Sequence, residues 1–269
     1  MVGVQPNAEN RRLRQGYERR LAQDIEALTK GGVDLRFPSN PFRSLSKRFV
    51  VASSARTGSH LLCEKLLTHG AVVTECFLPG QILAACRKAG TASLAAYCER
   101  YLENNALGGV FGTKGLTRLL APLILAGEFP EYRHDWRFVH LTREDTLKQA
   151  ISFVIADLTQ SWRSFKAPAR ALGEEDFDAA RIARTRATCE LRNRQWNDTF
   201  ELFGIEPMRI TYEQLSSDPG GVAARVAEYL DLTGPPVTDK RFVNPPLEVQ
   251  TTNVNARWEE MFLAIADRP

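Results

Sequence analysis

The sequence predicts an α/β fold of three layers, a mainly parallel central sheet covered by helices on both faces. Short apolar runs alternate along the chain with longer amphipathic stretches, the order expected of strand–helix–strand units. The clearest run, Arg48 to Ser53, has no helical period and no polar face, as in a strand buried on both sides. The chain has 269 residues, 43% apolar and 25% charged, which suits one ordinary domain, or one with an appendage, and a sizeable core.

The elements follow in order. Residues 9–29 predict a helix, because Leu13, Tyr17, Leu21, Ile25 and Leu28 form one apolar stripe, and Gly31-Gly32 ends it. Residues 33–46 hold two prolines with Ser and Asn and read as a linker, so the chain divides into a basic helix-and-linker segment, 1–46, and a main domain, 47–269. The run 48–53 is the first strand. Small polar residues and Gly58 follow, and a helix begins near Leu61 and stops near Gly70. Weaker strands are expected at 71–74 and 109–114, and a clearer one at 136–141. A helix from about Asp145 turns Ile151, Val154, Ile155 and Leu158 inward, and 175–203 is a long helical stretch. Residues 208–212 make the last strand. Asp218-Pro219 opens another helix as N-cap and first-turn proline, and the tail is helical again from about 255.

Composition excludes several classes. The 35 Lys/Arg against 32 Asp/Glu leave a net charge of +3, too little for a nucleic-acid coat protein. Residues 1–48 carry ten basic and five acidic residues, so the surplus lies in this short segment. No run approaches the ~18 apolar residues of a membrane span, and the N-terminus has no apolar signal core. Five cysteines without a CxxC pair argue against a disulfide framework or zinc site and fit a reducing cytosol. The histidines show no metal-ligand spacing, so no metal is expected. The stripe of 9–29 either docks on the main domain or on a second subunit, giving a homodimer, or rests on an anionic bilayer. Docking is the default. The expected location is cytoplasmic, peripheral at the inner membrane face in the bilayer case.

The chemistry centres on Val50-Val-Ala-Ser-Ser-Ala-Arg-Thr-Gly-Ser-His-Leu-Leu62. A strand, a small polar turn and a helix aim backbone N–H groups at a phosphate or sulfate. Gly58 permits the turn, Arg56 supplies a fixed charge, and Thr57, Ser59 and His60 supply side-chain donors. The turn is not a Walker A loop, since Ser53 stands at the first glycine position and Ser59 at the lysine position. The same pattern also fits an ordinary strand–helix turn. A second strand–turn–helix runs from Trp136 to Phe153 and carries Arg143 and Ser152. Nine residues on one helix is half a turn out of phase, so the two share a ligand only if Arg143 stays in the turn.

Together, Ser54-x-Arg56-x-Gly58-Ser59 and the later Arg143, Asp145, Ser152 and Phe153 resemble sulfotransferases that use 3′-phosphoadenosine 5′-phosphosulfate (PAPS), in particular bacterial carbohydrate sulfotransferases. The resemblance runs from about Phe49 to Trp258. It implies the three-layer architecture shared with nucleotide kinases and other P-loop-type proteins. It implies that Arg56, Thr57, Gly58, Ser59 and His60, with Leu61 beside them, bind the 5′-phosphosulfate, and that Arg143 and Ser152 bind the 3′-phosphate. His60 departs from the family's hydroxyl residue. Val73-Thr-Glu-Cys-Phe77 resembles the segment of the family's proposed base, which implies that role for Glu75, although Cys76 breaks its aromatic pair. Phe111-Gly-Thr-Lys114 resembles the family's Gly-x-Lys strand end, although Leu116 and Thr117 stand where its aromatic follows, and Thr159-Gln-Ser-Trp162 resembles an acceptor-side segment, so Lys114 and Trp162 are substrate-binding candidates. Tyr212 in Thr211-Tyr-Glu-Gln-Leu215, and Gln250 ahead of Trp258, are implied to lie near the nucleotide, while Tyr212-Glu213 could equally anchor the last strand and Trp258 could be a core residue.

The implied reaction moves a sulfuryl group from PAPS, leaving the bisphosphate PAP, to a hydroxyl of a carbohydrate, free or lipid-linked. In it, Glu75 takes the hydroxyl proton and Arg56 stabilises the leaving phosphate oxygen. The alternatives are a nucleotide kinase or NTPase on the same architecture, and a catalytically inactive nucleotide- or sugar-binding protein.

Overall fold

A computed structural model describes residues 8–162, 167–243, 245 and 253–266. Five strands, β1 (Lys47–Ser53), β2 (Val73–Thr74), β3 (Val110–Gly115), β4 (Trp136–Thr142) and β5 (Met208–Thr211), form one sheet in the order β2-β3-β1-β4-β5. Every pairing is parallel, so the expected architecture holds. β1 lies at the centre, with Val51 opposite Lys114 of β3 and Val139 of β4. The chain runs from β1 to the edge strand β2, returns to β3 beside β1 and then crosses to β4 on its other side, and the crevice at such a switch point, beyond the carboxyl ends of the strands, is where open parallel sheets bind ligands.

Ten α-helices are described: α1 (Ala8–Lys30), α2 (Ser59–Leu66), α3 (Pro79–Ala89), α4 (Leu94–Asn105), α5 (Leu120–Leu125), α6 (Thr146–Thr159), α7 (Ala179–Phe203), α8 (Tyr212–Ser217), α9 (Pro219–Tyr229) and α10 (Asn253–Ala266). Alternate residues of β1 serve opposite faces, as a pleated strand requires. Val50 and Ala52 pack with Phe111 and Phe138 against residues of α1, α3, α4, α5 and α7. Phe49 and Val51 pack with Leu62 and Leu66 of α2 and Val222 and Val226 of α9. A third cluster joins α6 and α10 around Trp258, which is fully buried and donates its indole N–H to Gly173 O at 3.2 Å, so Trp258 is a core residue.

The helix expected at 9–29 is α1, and it docks. Tyr17 and Leu28 are buried in the cluster that also holds Val50 and Phe111. The Tyr17 ring meets Phe203 edge-on at 5.0 Å, and buried Asp24 accepts a hydrogen bond from Arg118 Nε at 2.8 Å. The apolar stripe therefore covers the protein's own core, as the docking default expects, and the alternative of bilayer contact through that face is not supported. Among the described residues no helix is long and apolar enough to cross a membrane.

At the amino ends of the strands, opposite the ligand crevice, Glu128 is fully buried. It is paired with Arg48 and accepts hydrogen bonds from Asn40 Nδ2 at 2.9 Å and Trp136 Nε1 at 3.2 Å. Arg48 and Trp136 are register partners on β1 and β4, so one carboxylate closes the entry to both strands.

Candidate functional site

The strand ends open on a cavity of about 1030 Å³. Its floor is the turn between β1 and α2. Arg56 (φ 62°) and Gly58 (φ 80°) are both left-handed, and between them the Thr57 hydroxyl donates to Ser54 O at 2.9 Å. Gly58 is required on two counts. Its φ suits glycine, and a Cβ there would lie 2.8 Å from Tyr212 Cδ2. Gly58 is also the N-cap of α2 and provides no capping side chain, so the positive end of the helix dipole faces the cavity, where Ser59, His60 and Leu61 form the wall.

The two motifs meet on Arg56. Its Nε donates to Ser152 Oγ at 2.9 Å and its Nη1 to Trp162 O at 3.2 Å. Arg143 lies between β4 and α6, in the turn, which satisfies the phase condition read from the sequence. Its Nη1 donates to Arg56 O at 3.4 Å, and its guanidinium stacks 4.4 Å above the Tyr212 ring. Burial first, and the neighbouring Arg143 charge second, pull Arg56 below the ordinary arginine value. Arg143 Nε is buried without a hydrogen-bond partner among the described residues. Two adjacent guanidinium groups, whose hydrogen bonds to Ser152, Trp162 and Arg56 O run to neutral groups, suit a multiply charged anion.

Several supporting residues carry no sequence motif. Gln149, buried in α6 one turn before Ser152, donates from Nε2 to Ser54 Oγ at 2.9 Å and Ala55 O at 2.7 Å, so it fixes the turn from the side of the second motif. Asn193 of α7 accepts from Ser54 Oγ at 3.3 Å. Glu213 accepts the backbone N–H groups of Glu144 (3.2 Å) and Asp145 (3.5 Å), so the Tyr212-Glu213 pair braces the β4–α6 turn rather than only its own strand. Burial works to raise the Asp145 carboxyl, but hydrogen bonds from Lys148, at its backbone N–H and its ammonium, bring it net below the usual range.

On the other side of β1, Glu75 follows β2 directly. Thr74 is the register partner of Thr113, so Glu75 stands beside Lys114, and Lys114 Nζ lies 3.4 Å from Glu75 Oε2. The Lys114 side chain is only 8% exposed and that of Glu75 is 38% exposed, so the lysine is the anchor and the carboxylate faces the cavity. Two tyrosines of α4 grip the chain on either side of Glu75. Tyr101 donates to Thr74 Oγ1, and Tyr97 to Cys76 O at 2.5 Å. Cys76 itself is buried against Thr113 Oγ1 at 3.4 Å, and burial pushes its thiol up to about 12. The residue that breaks the expected aromatic pair is thus an inert packing thiol. Trp162 lines the same cavity. Gln250 lies outside the described residues. Among the described residues no group of three metal-ligating side chains exists.

The arrangement is a parallel sheet with the Arg56 turn after its central strand and a second arginine, Arg143, after the neighbouring strand β4. Residues 133–264 match the model of the family described as Stf0 sulphotransferase. Trehalose 2-sulfotransferase of Mycobacterium tuberculosis (strain ATCC 35801 / TMC 107 / Erdman) is 32% identical over 131 residues, which is 49% of this chain and 47% of that protein. The chain thus matches about half the length of this curated relative. Both findings support the resemblance to sulfotransferases of that type read from the motifs. The family match includes Arg143, Ser152 and Tyr212, whereas the Arg56 turn, Glu75 and Lys114 precede it.

Proposed function

We propose that this protein transfers a sulfuryl group from PAPS to a carbohydrate hydroxyl. The observation that carries the reading is the Arg56–Ser152–Arg143 cluster beside the uncapped N-terminus of α2. It offers two separate anion positions on one wall, as a nucleotide with a 5′-phosphosulfate and a 3′-phosphate requires. The α2 end with Arg56, Thr57, Gly58, Ser59, His60 and Leu61 receives the phosphosulfate. Arg143 and Ser152 receive the 3′-phosphate, with Tyr212 stacked under Arg143.

Sulfuryl transfer forms one sulfur–oxygen bond to the acceptor and breaks the one to the donor phosphate, so positioning and charge stabilisation do most of the work. Glu75 takes the proton of the attacking hydroxyl. Lys114 fixes the Glu75 carboxylate, and the α4 tyrosines hold its backbone. Arg56 and the α2 amides stabilise the charge left on the donor phosphate oxygen. Trp162 offers an aromatic face to a sugar ring. The acceptor is a carbohydrate hydroxyl, as the name of the trehalose-modifying relative suggests.

The test is transfer of labelled sulfate from PAPS to a glycan and glycolipid panel, with PAP binding titrated in parallel. Glu75→Gln is expected to lower turnover by about 10²–10⁴-fold, the usual contribution of a general base, while PAP binding is retained. Undiminished turnover in that variant removes Glu75 from the base role. ATP turnover with Mg²⁺, and no PAP binding, would replace the whole reading with a kinase-type one.

A further inference from the structure

Among the described residues of the cavity wall, Arg192 is a cation that neither the proposed donor site nor an acidic partner takes up. Arg192 lies on the inward side of α7, three residues after buried Cys189 and four before buried Trp196, and it lines the cavity. Its position is fixed from both sides. Asn193 bonds Ser54 at the end of β1, and the Trp196 indole N–H donates to Gly115 O at 3.1 Å at the end of β3. Gly115 also lies beside Glu75, since a Cβ there would be 3.7 Å from Glu75 Oε1. Arg192 is therefore held beneath the ends of β1 and β3, and Gly115 at the latter end follows Lys114.

The remaining lysines of the wall are compensated: Lys114 by Glu75, Lys148 by Asp145 (3.1 Å) and Glu259 (3.5 Å), and Lys65 by Glu64 (3.0 Å). Arg192 makes no hydrogen bond or ion pair among the described residues. A guanidinium is permanently charged, and one half-buried in a cavity wall without an acid is an unmet demand for an oxyanion. With the donor's anions taken by Arg56, Arg143 and the α2 turn, what remains for Arg192 is the acceptor.

We propose that Arg192 selects the acceptor by binding an oxyanion substituent, a carboxylate or a phosphate, on the sugar whose hydroxyl meets Glu75. The acceptor is then an anionic carbohydrate. This inference rests on the transferase reading above and is tested without transfer. The full chain is saturated with PAP and titrated calorimetrically with inorganic phosphate. Wild type is expected to take up one further phosphate, Arg192→Gln to bind it about tenfold more weakly, a difference of ~1.4 kcal/mol, and Arg192→Lys to fall between. Affinity for PAP is unchanged in both variants. In the same assay glucuronate and glucose 6-phosphate are expected to bind wild type more tightly than glucose, and the stronger of the two identifies the substituent. The proposal is overturned if PAP-loaded wild type takes no phosphate, or if Arg192→Gln takes it equally well. It is also overturned if Arg192→Gln weakens PAP itself, which would move Arg192 to the donor site. Failure of PAP to bind wild type is a different result and removes the transferase reading.

Discussion

Arg56 ties the two anion-binding turns together, because its side chain reaches Ser152 and its carbonyl receives Arg143. The roles proposed for these residues predict different losses. Arg143→Ala should weaken PAP by roughly 10–100-fold, the worth of one or two hydrogen bonds to a charged group. Adenosine 5′-phosphosulfate, which lacks the 3′-phosphate, should be affected far less, and equal weakening of both ligands in a titration would refute the assignment. Gln149→Leu should lower both Tm and PAP affinity, since Ser54 and Ala55 lose their link to α6; unchanged affinity would show that the turn holds itself. The arginines and Ser152 were legible because the motif marks them. Gln149 was not, because a glutamine inside a helix has no signature, and only its place one turn before Ser152 puts it on the same face. Arg192 was illegible for the same reason, lying within a helix rich in other arginines.

At the scale of elements, the turn and α2 should respond sharply to Gly58→Ala. A left-handed φ costs a side chain about 1–2 kcal/mol, and the new Cβ would press on Tyr212 and so on the stacked Arg143. The expected outcome is a lower Tm with a larger loss of PAP affinity than of stability; normal PAP affinity in a folded variant would contradict it. All five strands lie within a residue or two of where the sequence places them, and the central strand β1 is read most directly because its run Val50–Ser53 is buried throughout. The helices α3 and α4 were not read from the sequence. Their inward positions include Cys86, Ala95 and Cys98, small residues that draw a faint stripe. Their ends were nevertheless marked, by Pro79 in the first turn, Gly90 at the left-handed C-cap and Ser93 as N-cap accepting from Ala96 N–H. Glu75 was found through a family motif, but the tyrosines that grip its flanks lie on α4 and remained hidden with it. The last strand ends at Thr211, one residue early, because Thr211 and Gln214 form a reciprocal cap that starts α8 at Tyr212.

The whole molecule separates stability from chemistry along the strand axis. Glu128 closes the amino ends of β1 and β4, and the cavity occupies the carboxyl ends. Glu128→Ala strands Arg48 and should cost about 3–5 kcal/mol, read as a lower denaturation midpoint; a midpoint like that of wild type would show that the hub contributes little. A second prediction concerns pH. His140 on β4 is buried, and its Nδ1 accepts from Arg209 at 2.9 Å. Burial, then the Arg209 charge, lower it from 6.5 to about 4. The unfolded chain therefore takes up this proton first on acidification, so the contribution is complete above about pH 6.5 and disappears as pH falls toward 4. Tm should decline across that window, and less steeply in His140→Gln; identical slopes would assign the decline to other groups.

The paired guanidinium groups have a consequence at the bench. A protein whose cavity floor holds Arg56 and Arg143 side by side sets two positive charges against each other, and small oxyanions should relieve that repulsion. Sulfate or phosphate in the buffer should raise Tm with concentration, by mass action on the folded state alone. The same ions compete for the nucleotide's place, so the apparent affinity for PAP should fall as the buffer's own oxyanion rises. Two laboratories using phosphate and HEPES would then report different constants for one unchanged site.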